Sequence, residues 1–500
     1  MKRIRLILLL PLILSLQLAT GCGARAPVRA PSAAVTLHSI EQLRSGLDRV
    51  FLDPNFASAQ WGVEVLSLDR GDVLYERNSG RVYMPASNNK ILTSCAALIR
   101  LGPDFRYKTR IATNGQIMEG ALHGNLIVIG SGDPSNAPRF LSGDPFRNFT
   151  EWAGVLKQAG VSSIQGDIIG DDGVFQEQML GTGWEWDDLG FSSAAPVNAL
   201  QFNENLATIE ITPAATENAS AVVRLLPLDG YVSITSKVLT GPPESETHIR
   251  IDWAESGEAV TLTGAIPIGS KPVDRTIAVR LPTLYYLTAL KHALQESGID
   301  VTHCNLKVVR GAGTPSSTIL LEHASPPLIE IIRQLLKVSQ NLYSETLVRT
   351  LGAVVRKDGS FAQGKEVVEE ALATMAVEKG SYAYVDGSGL SRMNLVSADA
   401  LVRIFKYMYR HKLFPQFYDA LPVGGVDGTI ASRMKGTRAE NNVHAKTGSI
   451  SNVRALSGYV RTADGEMLAF SFLANNFLAS SRSAEFVMDS ALELLSNFRR

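Results

Sequence analysis

Three short motifs follow one another along the chain in an order that suits chemistry on a serine hydroxyl. The first places Ser87 three residues before Lys90, the second places Ser339 two residues before Asn341, and the third is Lys446 followed by threonine and glycine. A serine hydroxyl is a weak nucleophile and needs a base beside it. Lysine can be that base only where burial and a second cation lower its pKa. The three motifs therefore predict a nucleophilic site made of serines and lysines.

Each motif alone is weak, because short patterns recur by chance in a chain of 500 residues. Taken separately, Ser87 and Lys90 would more readily be a helix-capping serine and a solvated lysine. A second S-x-x-K, at Ser432 and Lys435, follows S-x-N and precedes K-T-G, so it cannot supply the first motif. We therefore expect Ser87, and not Ser432, to be the nucleophile.

The segment that carries Ser87 is predicted to be a helix over residues 87–101, with Pro85 ahead of it and a glycine-proline pair as the stop. Residues three apart share a helix face, so the Ser87 hydroxyl and the Lys90 amine come within reach of each other. The first turn also carries the positive end of the helix dipole, which stabilises a developing alkoxide. With Lys446 opposite, Lys90 would have the burial and the neighbouring charge that a lysine base needs.

Several other chemistries lack sequence support. No G-x-S-x-G elbow occurs, so a hydrolase-type Ser/His/Asp triad is not indicated. None of the eight histidines falls in a metal-ligand pair such as H-E-x-x-H, and we expect neither a metal nor a cofactor. A formal net charge of -1 argues against nucleic acid as a partner. Cys95 and Cys304 are expected to be buried free thiols, although their pairing is left open.

The start of the chain indicates export. A basic stretch precedes an apolar one that is too short to span a bilayer comfortably. Residues 1–22 are therefore predicted to be a signal peptide, and residues 23–36, rich in alanine, proline and arginine, a linker. Two interpretations stay open: a bacterial lipoprotein signal, with Cys22 lipidated, and ordinary cleavage after residues 24–26.

The two ends of the chain are predicted to share one sheet. Alternating apolar residues predict β-hairpins at 61–75 and 454–475, followed by an amphipathic helix at 483–497. Between them, residues 326–409 are helical in pattern and carry Ser339 at a helix end. A sheet made from both chain ends and packed against helices from the middle predicts an α/β fold.

Residues 104–283 have a different, β-rich pattern, with short strands separated by Gly, Asp and Pro breaks. We interpret this region as an insertion of one or two subdomains between the first and second motifs. The catalytic domain would then consist of residues 37–103 and 284–500, and a helix beginning near Pro282 would mark the return. The length of the chain agrees with more than one core.

The three motifs together are the serine acyl-transfer signature of penicillin-binding proteins and β-lactamases. With its large insertion, the chain resembles the penicillin-binding protein 4 family of D-alanyl-D-alanine carboxypeptidase/endopeptidases (peptidase family S13, the DacB-like class C low-molecular-mass type). The resemblance implies a serine β-lactamase/DD-peptidase-like transpeptidase domain, an antiparallel sheet with flanking helices. It covers about residues 40–500 and includes stretches at 130–134, 183–188, 195–200 and 386–392.

The second motif contains Gln340, where aspartate is commoner in such proteins. Trp184 and Trp186 are expected to be part of the core of an inserted subdomain rather than a platform for a ligand.

The resemblance implies a role for each motif residue in forming and resolving an acyl-enzyme. Ser87 would attack the substrate carbonyl, Lys90 would take its proton, and Ser339 would relay a proton to the leaving D-alanine. Asn341 would hold the substrate amide. These roles predict a covalent intermediate on Ser87 and a basic lysine beside it.

The resemblance also implies how the substrate is held. Lys446 and Thr447 would bind the terminal carboxylate. Gly448 would let the substrate lie along the strand edge, because a side chain there would obstruct an added strand. The backbone N–H groups of Ser87 and Ser449 would hold the oxyanion.

A pocket for the third residue of the stem peptide is implied by the resemblance at Asp171, Phe175 and Arg392. For Asp171 a plain turn is the competing interpretation, because aspartates and a glycine follow one another there. The family has a glutamine shortly after K-T-G where this chain has Ser451.

The predicted function is therefore a serine D-Ala-D-Ala carboxypeptidase/endopeptidase of the periplasm or cell envelope. Its predicted partners are peptidoglycan stem peptides, β-lactam antibiotics and, if Cys22 is lipidated, a membrane. Two alternatives are a β-lactamase, which shares the motifs and differs in the speed of deacylation, and a non-catalytic penicillin-binding scaffold.

Overall fold

The computed structural model describes residues 37–175, 179–254, 259–310 and 317–500. Its α-helices are α1 (Ile40–Phe51), α2 (Asn89–Leu101), α3 (Arg147–Gln158), α4 (Pro282–Glu296), α5 (Leu328–Val338), α6 (Asn341–Leu351), α7 (Phe361–Thr374), α8 (Ala398–Arg410), α9 (Phe414–Ala420) and α10 (Ser481–Asn497). The first nine strands are β1 (Gln60–Ser67), β2 (Val73–Arg77), β3 (Val82–Tyr83), β4 (Lys108–Thr113), β5 (Gln116–Met118), β6 (Ala121–His123), β7 (Leu126–Ile129), β8 (Ser163–Ile164) and β9 (Ile168–Asp171). The others are β10 (Leu206–Thr212), β11 (Val222–Leu226), β12 (Ser233–Gly241), β13 (His248–Trp253), β14 (Ala259–Pro267), β15 (Val273–Ala278), β16 (Leu306–Val309), β17 (Thr318–Ala324), β18 (Tyr382–Ala383), β19 (Leu395–Ser397), β20 (His444–Ile450), β21 (Val453–Arg461) and β22 (Met467–Asn475).

Both ends of the chain meet in one five-stranded antiparallel sheet, in the order β2-β1-β22-β21-β20. The predicted hairpins are β1–β2 and β21–β22. The join between the chain ends is the pairing of β1 with β22, in which Val63 lies opposite Phe472. The predicted sheet and the α/β fold are therefore confirmed.

The sheet buries a separate core on each face. Val63, Val65 and Phe470 pack with residues of α1 and α10 on one side. On the other side, Leu66 and Leu473 belong to the core formed with α2 and α5–α8. All nine residues of β22 are buried, as expected for a strand covered on both faces. The sheet is thus a rigid support for the helices that carry the first two motifs.

The inserted region has its own sheet, in the order β16-β9-β7-β4-β17, and its own core. Two of these strands, β16 and β17, come after α4 in the chain. Helix α4 also belongs to this core, where its Tyr286 ring lies 4.9 Å from the Phe149 ring of α3. The predicted boundary at residue 284 therefore falls inside this unit, which extends to about Ala324.

The remaining expectations for the chain as a whole concern thiols and membranes. Cys95 and Cys304 are both buried and free, as predicted. The predicted signal peptide and linker, with Cys22, lie outside the described residues. Within the described ranges, none of the helices has the length and apolar character required to cross a bilayer.

Candidate active site

Ser87 lies in a tight turn, Ala86–Asn88, that leads directly into α2. The predicted helix start at residue 87 is therefore two residues early. Ala86 has a φ of 45°, in the left-handed region that costs a non-glycine residue about 1–3 kcal/mol. Gly389 packs against this turn so closely that a Cβ there would lie 1.8 Å from the Ala86 carbonyl oxygen. The surrounding structure thus holds the turn that carries Ser87 in a fixed conformation, with its strain at Ala86.

The Lys90 amine has three hydrogen-bond partners. It lies 2.8 Å from Ser87 Oγ, 2.6 Å from Asn341 Oδ1 and 2.8 Å from the Ser388 carbonyl oxygen. The Asn341 amide is oriented by its own Nδ2, which donates to the Ser193 carbonyl at 2.7 Å. Two of the three partners of Lys90 can only accept. A neutral amine therefore gives them its two N–H groups and keeps its lone pair for the Ser87 hydroxyl.

Burial is the main cause of a lowered pKa at Lys90. The side chain is buried, and desolvation lowers its pKa to about 7 against the opposing effect of the Asp386 and Glu345 carboxylates. Burial and the charge of Lys90 also lower the pKa of Lys446. Coulomb repulsion acts equally on both partners, so protonation of either lysine disfavours protonation of the other. The expected contribution of Lys446 is thus secondary to burial.

A second serine–lysine pair faces the first. Ser339 follows the last residue of α5 in a left-handed conformation, with φ 62° and ψ 40°. Its Oγ accepts a hydrogen bond from Lys446 Nζ at 2.8 Å, and Lys446 also donates to the Thr447 carbonyl at 2.9 Å. The predicted position of Ser339 at a helix end is confirmed. Its strained backbone turns the hydroxyl toward Lys446.

The third motif lies on β20, at the edge of the sheet as described. Thr447 Oγ1 donates to Thr429 Oγ1 at 2.8 Å, and Ser449 is exposed. A Cβ at Gly448 would lie 2.3 Å from the Pro85 carbonyl oxygen. The structure therefore gives Gly448 a role that the sequence analysis did not assign, which is to let the strand touch the turn that carries Ser87.

Residues 386–394 form a loop that supplies the Ser388 carbonyl. The buried Asp386 carboxylate accepts from the N–H groups of Gly389 at 2.7 Å and Ser391 at 2.6 Å, and from Asn394 Nδ2 at 2.8 Å. Trp184 Nε1 also donates to it at 3.1 Å. Sequence reasoning missed the carbonyls of Ser193 and Ser388, because a backbone contact leaves no residue-type signal. The only pointer to this loop was the resemblance in residues 386–392.

The unusual middle residue of the second motif has a structural explanation. Gln340 Nε2 donates to Glu204 Oε2 at 2.8 Å. Glu204 is buried, and its other oxygen accepts from Arg139 and from Tyr343 OH, both at 2.7 Å. An aspartate at position 340 would bring a second carboxylate to Glu204 and offer no N–H. The inserted region therefore tethers the second motif through a contact that requires a donor at this position.

The residues predicted to line the pocket for the third stem-peptide residue lie in different environments. Asp171 is buried at the end of β9 and accepts a hydrogen bond from the backbone of the following turn at 3.0 Å, which agrees with the competing interpretation as a turn. Phe175 is also buried. Arg392 is partly exposed and donates to Glu185 at 2.9 Å and to the Ser451 carbonyl at 3.2 Å. The pocket remains a prediction.

Two other predictions concern residues near the motifs. Ser432 and Lys435, the second S-x-x-K, lie in exposed turns and not on a helix. Trp186 is 84% exposed, so the expectation that it belongs to a subdomain core is wrong. Its neighbour Trp184 is half-buried against the loop that carries Asp386.

Comparisons with known proteins identify the family of the chain. The model of the D-Ala-D-Ala carboxypeptidase 3 (S13) family matches residues 43–497. The D-alanyl-D-alanine carboxypeptidase of Actinomadura sp. (strain R39) is 32% identical over 451 residues, which are 87% of this chain and 81% of the relative. The carboxypeptidase DacB of Haemophilus influenzae is 27% identical over 416 residues, covering 82% of this chain and 84% of the relative.

A solved structure shows the same fold. The crystal structure of penicillin binding protein 4 (dacB) from Haemophilus influenzae superposes with a TM-score of 0.77 at 25% identity, over 89% of this chain and 97% of that one. The predicted family and fold are therefore confirmed. The chain belongs to the D-Ala-D-Ala carboxypeptidase 3 (S13) family and is a serine-type D-Ala-D-Ala carboxypeptidase.

Proposed function

We propose that the protein removes the terminal D-alanine from peptidoglycan stem peptides, and opens D-alanyl cross-links, through an acyl-enzyme on Ser87. The observation that carries the proposal is the set of contacts around the Lys90 amine, whose lone pair is left for the Ser87 hydroxyl. A pKa of about 7 keeps a large fraction of that amine neutral near neutral pH, as a general base requires.

In the proposed acylation, Ser87 Oγ attacks the carbonyl carbon of the penultimate D-alanine while its proton passes to Lys90 Nζ. A C–O bond forms. As the tetrahedral intermediate collapses, the C–N bond to the terminal D-alanine breaks. The proton reaches the leaving nitrogen through Ser339, whose Oγ lies 2.8 Å from Lys446 Nζ. D-Alanine leaves, Lys90 is neutral again, and the peptide stays on Ser87 as an ester.

Deacylation uses the same residues with water as the nucleophile. Water adds to the ester carbonyl and gives a proton to Lys90, the C–O bond to Ser87 breaks, and the proton returns to Ser87 Oγ. The products are the shortened peptide and the free enzyme. In a cross-link, the leaving amine belongs to the neighbouring stem peptide instead of to D-alanine, and no further group is required.

The substrate is oriented by groups from all three motifs. Lys446 and Thr447 bind its terminal carboxylate, and Asn341 holds its amide. The bound carboxylate raises the pKa of Lys446 again, because an adjacent anion favours the protonated form. The backbone N–H groups of Ser87 and Ser449, which come from the turn and the strand that meet at Gly448, hold the oxyanion.

β-Lactam antibiotics are proposed to acylate the same serine. A penicillin binding protein 4 of Haemophilus influenzae has been solved in complex with a β-lactam, at 23% identity to this chain. The alternative activity, a β-lactamase, would use the same acylation and differ only in rapid hydrolysis of the adduct. The non-catalytic alternative would form no adduct at all.

A labelling experiment separates these activities. The purified protein is treated with a fluorescent penicillin, and the decay of the adduct and the release of D-alanine from a soluble stem peptide are both followed. A long-lived adduct together with D-alanine release supports the proposal, rapid turnover supports a β-lactamase, and no adduct supports a scaffold. Ser87→Ala should lose the label, whereas Ser432→Ala, the matched control in the second S-x-x-K, should keep it.

We also propose that the enzyme works in the periplasm or elsewhere in the cell envelope, anchored by a lipid on Cys22. The basic and apolar start of the chain and the location of peptidoglycan outside the cytoplasm support this. Membrane fractionation of the wild type and Cys22→Ser tests it. Release of the variant into the soluble envelope fraction supports the lipid. Identical fractionation supports ordinary signal cleavage.

A further inference from the structure

The inserted region has an exposed groove of about 440 Å³, here called the aromatic groove. Its lining includes Trp186, Phe191, Trp253, Arg275 and Arg280. Trp186 and Phe191 lie in the segment between β9 and β10, and the others lie on or next to strands β13 and β15. The groove therefore lies between the segment that joins β9 to β10 and the strands β13 and β15.

Large apolar side chains in this groove face solvent. Trp186 is 84% exposed and Phe191 is 61% exposed. Exposed aromatic clusters of this kind mark binding surfaces more often than chance. Gly190 lets the chain press against Trp253, since a Cβ there would lie 2.3 Å from the Trp253 Nε1. The segment that carries Phe191 thus packs closely against Trp253.

An arginine guanidinium stacks on one of the tryptophans of the groove. The Arg280 guanidinium lies over the Trp253 ring, 5.5 Å from its centre. Its Nε is buried and has no hydrogen-bond partner within the described residues. The groove thus offers aromatic faces and a hydrogen-bond donor side by side.

The segment between β9 and β10 lines the groove and also contacts residues of the active site. Phe191 is two residues before Ser193, whose carbonyl orients Asn341. Trp186 is two residues after Trp184, which donates to Asp386. Two residues of extended chain span at most about 7 Å. Two residues of the groove are therefore close along the chain to residues that contact Asn341 and Asp386.

The charges of the groove favour a neutral, polar ligand. Its lining contains two arginines, Arg275 and Arg280, and two aspartates, Asp187 and Asp252, of which Asp252 also pairs with Arg250 at 2.8 Å. A strongly anionic polymer or lipid surface would not be selected by such a balance. Sugar rings present C–H faces that pack on the electron-rich faces of tryptophan and phenylalanine, and hydroxyl and amide oxygens that accept from arginine.

We propose that the aromatic groove binds the glycan strand to which the stem peptide is attached. The proposal rests on the proposed function, because it assigns a second recognition site for the same polymer. The stem peptide enters the cleft at Ser87, and the sugars at its other end lie against Trp186 and Arg280. The enzyme therefore prefers peptides that are still attached to glycan.

The experiment compares two substrates and three variants. D-Alanine release is measured from a soluble, sugar-free stem pentapeptide and from insoluble peptidoglycan, at concentrations below saturation. Trp186→Ala and Arg280→Ala should lower the rate on peptidoglycan about five- to tenfold and change the rate on the soluble peptide less than twofold. Phe486→Ala, an aromatic residue on α10 that is 65% exposed, is the matched control and should change neither rate.

Direct binding keeps the proposal separate from the chemistry. Peptide-free chito-oligosaccharide is titrated into the Ser87→Ala variant, which cannot turn over, and binding is followed by isothermal titration calorimetry. Saturable binding that is lost in Ser87→Ala/Trp186→Ala supports the groove even if the wild type releases no D-alanine, in which case only the proposed function fails. No binding, an equal loss of rate on both substrates, or an unchanged rate on peptidoglycan overturns the groove proposal.

Discussion

The two sides of the catalytic cleft are built in opposite ways. On one side, Lys90 and Lys446 are buried, and each has fixed partners on neighbouring elements. On the other side, the pair between Arg392 and Glu185 leaves the two side chains 34% and 47% exposed. Electrostatic effects are strong where water is excluded and weak where it screens them. The buried side can therefore drive chemistry, whereas the exposed side can only adjust selectivity.

The largest effect is expected at the base. Lys90→Arg should lower acylation by about 10³-fold, because arginine stays protonated and general bases contribute roughly 10²–10⁴-fold. The measurement is the second-order rate constant for labelling with penicillin. Lys435→Arg, in the exposed second motif, is the matched control and should be unchanged. More than about a tenth of the wild-type rate in Lys90→Arg would mean that another group activates Ser87.

A smaller but still large loss of kcat/KM is expected where β20 contacts the turn that carries Ser87. Gly448→Ala places a Cβ 2.3 Å from the Pro85 carbonyl oxygen, so the turn that carries Ser87 must move. A displacement near 1 Å costs about 10²-fold in rate. The comparison is with Gly154→Ala in α3, where a Cβ meets nothing within 4 Å. Equal kcat/KM for Gly448→Ala and the wild type would contradict the proposed contact.

The hydrogen bond between Gln340 and Glu204 predicts that a second substitution can restore activity lost by the first. Gln340→Asp should lower kcat/KM about tenfold, because it sets a carboxylate against Glu204 in a buried site. Glu204→Gln/Gln340→Asp should recover most of that loss, because the new amide can donate to the new carboxylate. If the double variant is no better than Gln340→Asp, Glu204 does not position the motif through residue 340.

The smallest effect is expected on the exposed side. Arg392→Ala should reduce the preference for a charged third residue, such as diaminopimelate, about five- to tenfold, because partly exposed charge pairs contribute only about 1 kcal/mol each. The measurement is kcat/KM for two stem peptides that differ only at that residue. Asp171→Asn should not change this preference if Asp171 only stabilises the turn that follows β9. An undiminished preference in Arg392→Ala would remove Arg392 from the pocket.

The same contrast explains what could be predicted from the sequence. Side-chain chemistry on regular elements was predictable: the hairpins β1–β2 and β21–β22 follow from alternation, and Ser87 and Lys90 follow from their spacing. Backbone contacts were not, because the carbonyls of Ser193 and Ser388 have no residue-type signature. The identity of these two acceptors became clear only from the folded chain.

The pairing of strands that are distant in the sequence could not be predicted either. The helical pattern of α4 does not show which domain the helix belongs to. The pairing of β17 with β4, in which Glu322 lies opposite Arg110, assigns the residues after α4 to the insertion. Trp186 was misplaced for a related reason. Composition favours a tryptophan in a core, and its 84% exposure depends on where the segment lies in the folded chain.

The central claim is that a neutral Lys90 activates Ser87, and the pH dependence of penicillin acylation tests it most directly. Below its pKa, Lys90 is protonated and cannot accept the serine proton. The rate should therefore fall as the pH falls, with a midpoint of about 7. Burial also raises the pKa of the Glu345 carboxyl to about 7, so Glu345→Gln should keep the fall in rate if Lys90, and not Glu345, is the titrating group. A rate that does not vary from about pH 6 to 9, or a pH dependence that is lost in Glu345→Gln, would contradict the assignment of Lys90 as the base.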